Sequence, residues 1–273
     1  MVASQWRSLV EVRRNGIADD KPGMSPANRS LERGIELLRA FRQGSELLGN
    51  GDLAERTGLS KSTVSRLTQT LVGTGMLQLD APSRAYRLAP AVLSLGHAMR
   101  SGSRVLAVAA PRMRALAEGR RINVGLAAPD RDEMVYLESI RYARRAALRH
   151  VVSGQRVPME LTSLGRAYLA VAPELRRNAL MHVFRSRRAE AWPTLKAAIE
   201  QARVDVAEKG YCAASWQPEV VALAAPLEVA GAQYVINVSL STAEPMDEVA
   251  KELSPALLDL IAKVLHDAAR ASL

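Results

Sequence analysis

The chain has 273 residues, more than one hydrophobic core usually organises, so we expect two domains. Apolar residues make up 48% of the chain and aromatic residues only 4%, which favours aliphatic and largely helical cores. No run approaches the roughly 18 apolar residues of a membrane-spanning helix, so no membrane partner is expected. A single cysteine, Cys212, excludes an intramolecular disulfide and is typical of the reducing cytoplasm, which is the expected location.

The net charge of +9 is unevenly distributed along the chain. Residues 1 to 104 hold 15 of the 37 basic residues but only 9 of the 28 acidic ones, a net charge of +6. The first third is therefore the part expected to bind a polyanion. Arginine-rich composition alone is also typical of a GC-rich genome, so charge does not decide the function.

Residues 1 to 28 combine charges with glycine and proline and show no sustained periodicity, which predicts a flexible arm. Met24 lies close to the first helix signal and is an alternative start of translation. A basic arm that touches DNA is the other interpretation.

Residues 29 to 88 carry the pattern of a winged helix-turn-helix. Ser30 is the expected cap of a first helix whose apolar positions are Leu31, Ile35, Leu38 and Phe41. A short second helix is predicted over residues 52 to 57 and ends at Gly58. Ser60 then caps a third helix with a predicted buried face of Val64, Leu67 and Leu71. Apolar and polar residues alternate at 76 to 80 and at 85 to 88, with a turn between them. This pattern predicts a β-hairpin, the wing.

The third helix has the chemistry of a recognition helix. Short hydroxyl and basic side chains near its N-terminus suit phosphates and base edges of the major groove, and an arginine can bind guanine with two hydrogen bonds. The candidate DNA-binding residues are Lys61, Ser62, Thr63, Ser65, Arg66 and Gln69, with Arg84 and Arg87 on the wing. The alternative is that this polar face is merely solvated. The expected partner is double-stranded operator DNA.

Helical spacing over residues 89 to 104 predicts a linker helix, and residues 105 to 273 form a second domain. Helix-like stretches occur at 105–119, 163–171, 173–184, 192–209 and 246–270. Strand-like stretches occur at 122–128, 133–139, 145–152, 220–226 and 233–241. Strands interleaved with helices predict an α+β fold on a mainly antiparallel sheet flanked by helices.

Several segments resemble the signature of IclR-type transcription regulators. They are SLERGIELLRAF from Ser30, DLAERTGLSKSTVSRLTQTLVGTGML from Asp52 and YRLAPAVLSLG from Tyr86. The resemblance continues through VYLESI, VPMELTSLGRAYLA, EKGYC and ALAAPL, so it covers nearly the whole chain after residue 29. It implies a GAF-like C-terminal domain in which a six-stranded sheet closes a pocket around a small organic effector. It also suggests a homodimer or a dimer of dimers.

The positions that the resemblance assigns to the effector site are Ala146, Leu148, Arg149, Val157, Ser163, Leu164, Ala214, Ser215 and Ala222. Backbone N–H groups of Ser163 and Leu164 at a helix N-terminus suit a carboxylate. Relatives commonly have acidic residues near position 214 and a cysteine at position 222, where this chain has small side chains. Trp216 and Pro218 add an apolar wall, so an aromatic or medium-chain organic acid is expected.

Two polar features leave alternatives open. Arg149 and His150 are candidates for a carboxylate clamp, although strand alternation directs only one of them inward, and an exposed basic strand end is the other interpretation. Cys212 is either a small buried hydrophobe or a redox-active thiol. The four histidines match no metal-binding or hydrolase motif, so we expect the protein to have no enzymatic activity and to bind no cofactor. The alternative function is a ligand-independent architectural DNA-binding protein.

Overall fold

The computed structural model describes residues 28–142, 153–217 and 219–271. It forms two compact units, one ending at Ser101 and the other beginning at Gly102. The arm up to residue 27, the strand predicted at 145–152 and Pro218 lie outside the described residues. No helix within these ranges is long and apolar enough to cross a membrane.

The first unit begins with three helices and a hairpin. Its elements are α1 (Arg29–Arg39), α2 (Asn50–Thr57), α3 (Lys61–Gly73), β1 (Leu77–Asp80), β2 (Ala85–Leu88) and α4 (Pro90–Ser101). Their order confirms the predicted winged helix-turn-helix followed by a linker helix. Strands β1 and β2 pair antiparallel, with Leu77 opposite Leu88.

The predicted cap of the first helix was wrong. Asn28 caps α1, because its side-chain oxygen accepts hydrogen bonds from the backbone N–H groups of Ser30 and Leu31, both at 3.1 Å. The side of this helix that is buried also differs from the side predicted from the spacing of its apolar residues. Leu37 is fully buried, whereas Leu31 and Ile35 are exposed, because α2 and α3 cover only one side of α1.

The turn between α2 and α3 follows the expected chemistry. Gly58 ends α2 with a φ of +69°, a conformation that costs glycine little because it has no β-carbon. Ser60 then caps α3 by accepting a hydrogen bond from the N–H of Thr63 at 3.3 Å. The loop before α2 meets the wing, since Leu48 and Tyr86 exchange two backbone hydrogen bonds of 3.1 and 2.9 Å. The wing is therefore fixed to the helical core of its own unit.

The second unit is an antiparallel sheet with helices on both faces. Its helices are α5 (Arg104–Arg120), α6 (Ser163–Val171), α7 (Glu174–Arg187), α8 (Trp192–Lys209) and α9 (Met246–Arg270). Its strands are β3 (Asn123–Asp130), β4 (Glu133–Ile140), β5 (Arg156–Pro158), β6 (Cys212–Gln217), β7 (Val220–Val229) and β8 (Ala232–Ser241). Within the described ranges, six strands pair in the order β5-β4-β3-β8-β7-β6, which agrees with the expected mainly antiparallel sheet.

Two apolar cores lie on opposite faces of this sheet. The first joins α5 and α9 to the sheet through large side chains such as Met113, Leu126, Leu223 and Leu257. The second lies under α6, α7 and α8 and includes Phe184. Each face is covered by helices, so the alternate residues of the central strands are buried on both sides.

Candidate DNA interface and effector site

The N-terminus of α3 carries a small group of hydroxyl side chains. Ser60 Oγ lies 3.1 Å from Ser62 Oγ and 2.9 Å from Thr63 Oγ1, while it also caps the helix. Each hydroxyl can both donate and accept, so the group retains the capacity to contact a phosphate. The first turn of a helix also has free N–H groups and a positive dipole end, which favour an anion there.

One face of α3 is exposed over its whole length. Lys61, Ser62, Arg66 and Gln69 are exposed, and Thr63 and Ser65 are half-buried beside them. The opposite face differs in part from the prediction. Thr68 is fully buried together with Val64, whereas the predicted core residues Leu67 and Leu71 are only half-buried.

A buried threonine is tolerated here because its hydroxyl has a partner. Thr68 Oγ1 donates to the carbonyl oxygen of Ser65 at 3.0 Å. The side chains of Lys61 and Arg66 form no ion pair with the residues that the structure describes. Both cations are thus available to a polyanion, and the Arg66 guanidinium has the donor geometry that guanine accepts.

The two wing arginines differ in their surroundings. Arg84 occupies the turn at a φ of +49° and is exposed. Arg87 forms an ion pair with Asp80 across the hairpin. Asp80 also accepts hydrogen bonds from the hydroxyl and the backbone N–H of Ser83, and these bonds, followed by Arg87, lower the pKa of its carboxyl group. Arg87 is thus paired within the wing, while its contact with DNA stays a prediction.

The N-terminus of α6 is buried against the sheet. Thr162 Oγ1 accepts a hydrogen bond from the N–H of Gly165 at 3.2 Å and caps the helix. Ser163 and Leu164 are 2% and 1% exposed, and their backbone N–H groups have no partner among the described residues. Free N–H groups at a buried helix N-terminus bind carboxylates and other anions well.

Five of the predicted effector residues that the structure describes lie on the sheet face covered by α6, or in α6 itself: Val157, Ser163, Leu164, Ala214 and Ala222. They are spread over that face, because Val157 lies on β5 and Ala214 on β6, the two edge strands of the sheet. Ser215 is exposed next to a register shift in β6, so its side chain is outside this group. The predicted positions Ala146, Leu148 and Arg149 lie outside the described residues.

Polar residues that the sequence analysis missed occupy the same sheet face. Asn237 and Ser239 are 5% and 9% exposed on β8, and Tyr136 is 8% exposed on β4. Burial raises the pKa of Tyr136 to about 12, and the rise is opposed first by the positive charge of Arg141 and then by Asn237. The tyrosine therefore keeps its proton at neutral pH. The available signal was the alternation of Asn237, Ser239 and Ser241 in an otherwise apolar strand.

A buried acidic residue fixes the loop before α6. Glu160 is fully buried, and its Oε1 accepts a hydrogen bond from Nε of Arg188 at 3.2 Å. Its backbone carbonyl accepts a second one from Nε of Arg166, also at 3.2 Å. Burial lowers the pKa of Arg166, which lies between this loop and Cys212. These bonds connect the loop to the end of α7 and to α6.

Cys212 behaves as a buried core residue. Its thiol donates to the carbonyl oxygen of Ser163 at 3.5 Å, and burial raises its pKa to about 12. A thiol with so high a pKa is a poor nucleophile at neutral pH. Over the described ranges, no group of three or more histidine, cysteine or acidic side chains is arranged to hold a metal ion.

A winged helix-turn-helix with a free basic recognition face, followed by an α+β domain, defines a DNA-binding transcription regulator. The comparisons with known proteins give the family. Residues 30–81 match the IclR helix-turn-helix domain, and residues 97–271 match the bacterial transcriptional regulator IclR C-terminal domain. The chain belongs to the IclR family of transcription regulators. Its relatives are regulators, and the family is not one of enzymes.

Two curated regulators illustrate the similarity. The HTH-type transcriptional regulator TsaQ1/TsaQ2 of Comamonas testosteroni is 33% identical over 240 residues, which cover 85% of each chain. The Pca regulon regulatory protein of Pseudomonas putida is 28% identical over 225 residues, covering 78% of this chain and 74% of that protein.

Solved structures match over the same length. An IclR family regulator from Brucella abortus has a TM-score of 0.81 at 33% identity, over 92% of this chain and 96% of that one. An IclR homologue from Microbacterium hydrocarbonoxydans, complexed with 4-hydroxybenzoate, has a TM-score of 0.64 at 21% identity, over 87% of this chain and 99% of that one. At 21% identity, the second match shows only that the two proteins share a fold.

Proposed function

We propose that this regulator binds its operator with an affinity controlled by a small organic acid held in the second unit. The observation that carries the proposal is the N-terminus of α6, where the N–H groups of Ser163 and Leu164 are buried without a described partner. A carboxylate there would accept hydrogen bonds that the protein otherwise forgoes, and it would be stabilised by the helix dipole.

The side chains of α6 and of the sheet face that it covers favour an apolar acid over a small polar one. Val157, Leu164, Ala214 and Ala222 supply apolar or small groups. A related protein of the same fold was crystallised with 4-hydroxybenzoate, an aromatic carboxylic acid. The proposed effector class is therefore an aromatic or medium-chain carboxylic acid.

DNA is read, in this proposal, by the exposed face of α3. Arg66 contacts a base edge, Lys61 and the hydroxyl side chains contact phosphates, and Arg84 contacts the backbone or minor groove beside the wing. Such a regulator acts where the bacterial chromosome lies, so the proposed location is the cytoplasm.

The proposed assembly is a homodimer, because a dyad-symmetric operator needs two recognition helices about one DNA turn apart. The candidate contact surface is α4, a helix with no buried residue. Its Leu93, Leu95 and Met99 are 77%, 60% and 52% exposed. Leu95 and Met99 are four residues apart and share one face of the helix, whereas Leu93 points away from Leu95. A 12-residue helix is marginal in water by itself, so burial of the face with Leu95 and Met99 against a second copy would stabilise it.

Calorimetry with the full-length protein tests the effector, using a panel of aromatic and medium-chain acids, with operator affinity measured in parallel. We expect at least one acid to bind and to change operator affinity, by about 1–3 kcal/mol of coupling free energy. If acids bind but operator affinity never changes, the ligand-independent architectural protein is the better description.

A substitution locates the site. Leu164→Trp should abolish the response to acids and leave operator binding intact, because Leu164 is buried at the start of α6, in the second unit. Leu175→Trp is the matched control, since Leu175 is 85% exposed on α7 and adds the same bulk away from the site. A Leu164→Trp protein that still responds would place the effector elsewhere.

A further inference from the structure

The loop that joins α1 to α2 is attached to the rest of the first unit at two places. Near its start, the guanidinium group of Arg56 donates from Nη1 to the carbonyl oxygen of Ala40 and from Nη2 to Ser45 Oγ, both at 3.0 Å. At its end, Leu48 exchanges two backbone hydrogen bonds with Tyr86 of the wing. One arginine of α2 and one strand of the wing thus hold the same short loop.

The surroundings of Arg56 explain why an arginine stands there. Ala40 is the C-cap of α1, where the last carbonyl groups of a helix lack partners within the helix and the dipole is negative, so a cation is favoured. The guanidinium group is a planar fork, which can bind two separate acceptors at once. Arg56 is half-buried and forms no ion pair with any residue that the structure describes. Its side chain therefore serves the loop.

The loop between the two attachments is itself hydrogen-bonded. The N–H of Ser45 donates to the carbonyl oxygen of Arg42 at 2.9 Å, which closes a β-turn, and Gly44 at the third position has a φ of +80°. The N–H of Gly44 also donates to Oε1 of Glu46 at 2.6 Å. A turn with these bonds has few alternative conformations. A displacement of Ser45 is therefore passed on to Leu48.

The far end of the loop lies next to the wing residue Arg84. Leu48 is 3% exposed and packs with Tyr86 in the core of the first unit. A β-carbon on Gly49 would lie 3.9 Å from the backbone carbonyl oxygen of Arg84, so the two backbones are close neighbours. Arg84 has a φ of +49°, a backbone conformation that residues other than glycine rarely adopt. The loop thus adjoins the turn in which Arg84 is held.

We propose that Arg56 is a positioning residue for DNA recognition, which fixes the angle of the wing so that Arg84 contacts DNA while α3 occupies the major groove. Arg56 acts through the loop and not by touching DNA, since Nη1 and Nη2 are both engaged within the protein. This inference rests on the proposed function, which gives Arg84 a contact with the DNA backbone or minor groove. It adds a residue of α2, outside the polar face of α3, to those that determine affinity.

A double-mutant cycle with the full-length protein tests this, with affinity for operator DNA as the measurement. Arg56→Ala should weaken binding about tenfold by itself, the size of one lost charge-assisted contact. In the Arg84→Ala background it should cost about twofold or less, because the contact that it positions is already absent. In the Arg66→Ala background it should again cost about tenfold, since Arg66 acts from α3 and not from the wing.

Further variants keep the test decisive if Arg56→Ala does not fold. Ser45→Ala removes one of the two acceptors and should give a smaller loss with the same dependence on Arg84. Arg56→Lys keeps the charge without the planar fork and should restore only part of the affinity. Arg33→Ala, which removes an exposed arginine of α1, is the control for charge, and its effect should be the same with and without Arg84.

The outcomes separate this inference from the proposed function. If Arg56→Ala weakens binding equally in all three backgrounds, or in none of them, the positioning role is overturned while the wing contact of Arg84 stands. If Arg84→Ala leaves the affinity for every DNA unchanged, the proposed wing contact is wrong, and positioning through it is wrong as well. A loss that depends on Arg84 but not on Arg66 supports the positioning role.

Discussion

The backbone of Met159 lies against Gly165 in the first turn of α6. A β-carbon at residue 165 would lie 2.1 Å from Met159 Cα and 2.2 Å from its carbonyl oxygen. Real β-carbons do not approach backbone this closely, so only glycine allows the loop to pass here. The contact holds the loop and the N-terminus of α6 in one fixed arrangement beside the sheet.

Replacing Gly165 with alanine should therefore displace this loop. We expect a loss of about 2–3 kcal/mol in the free energy of unfolding, since the clash is with backbone and cannot be relieved by a rotamer change. The effector response should fall with it, because Ser163 and Leu164 move. Denaturant unfolding and operator binding with effector measure the two effects. Gly119→Ala is the control: that glycine is exposed in α5 with nothing nearby, so alanine should be neutral or stabilising.

Arg66→Ala should abolish the preference for operator over random DNA. The lost guanine contact is worth about 1–3 kcal/mol, while the phosphate contacts remain. Arg84→Ala removes the same charge from the wing and should weaken specific and non-specific binding alike. Affinities for both DNAs, measured at several salt concentrations, give the comparison. An Arg66→Ala protein with full operator preference would show that this side chain does not read a base.

Asp80→Asn should increase non-specific DNA binding. The slope of log affinity against log salt concentration should become steeper by about one, because one more counterion is released. The reason is that Arg87 loses its carboxylate partner and becomes available to a phosphate. The pKa of Asp80 is lowered in the folded protein, so its contribution to stability is present at neutral pH and is lost as the pH falls through that lowered pKa. A carboxyl titration followed by NMR should show the low pKa; an unshifted pKa would contradict the hydrogen bonds from Ser83 together with the ion pair to Arg87.

The double substitution Leu95→Glu and Met99→Glu should dissociate the proposed dimer and weaken operator binding at least tenfold. Two charges would have to be buried in the contact surface of α4. Sedimentation velocity gives the oligomeric state directly. Leu175→Glu, which changes a more exposed leucine of α7, should leave mass and affinity unaltered. A double variant that remains dimeric would place the interface elsewhere.

Glu160→Ala should destabilise the second unit by about 1–3 kcal/mol, since Arg188 is partly exposed and water can solvate it once its partner is removed. The substitution leaves Arg188 without its carboxylate partner and removes the side chain that fixes the loop before α6. Glu160→Gln keeps a hydrogen-bonding oxygen at the same place and should lose less. Thermal unfolding of the two variants compares these costs, and equal stability of Glu160→Ala and the unmodified protein would show that the buried bond contributes nothing.

The elements with strong local patterns were predicted closely, and the weak ones were missed. The helices at 163–171, 192–209 and 246–270 have the bounds expected from their periodicity. Strand β5 was missed because it has three residues, one of them proline. Strand β6 was missed because its alanine and serine residues have low strand propensity. It is a strand because it pairs with β7, an interaction that lies outside any local window.

The recognition helix, its cap and the wing were determined by the sequence itself. These features depend only on residues a few positions away in the sequence. They are the capping hydroxyl of Ser60, the left-handed conformation of Gly58 and the polar face of α3. The sheet face under α6 was decided by tertiary structure. Gly125, Tyr136 and Asn237 are far apart in the sequence, and only the pairing of β3 with β4 and β8 brings them together. Strand order depends on the burial of whole surfaces, so no local pattern could indicate that these three residues would become neighbours.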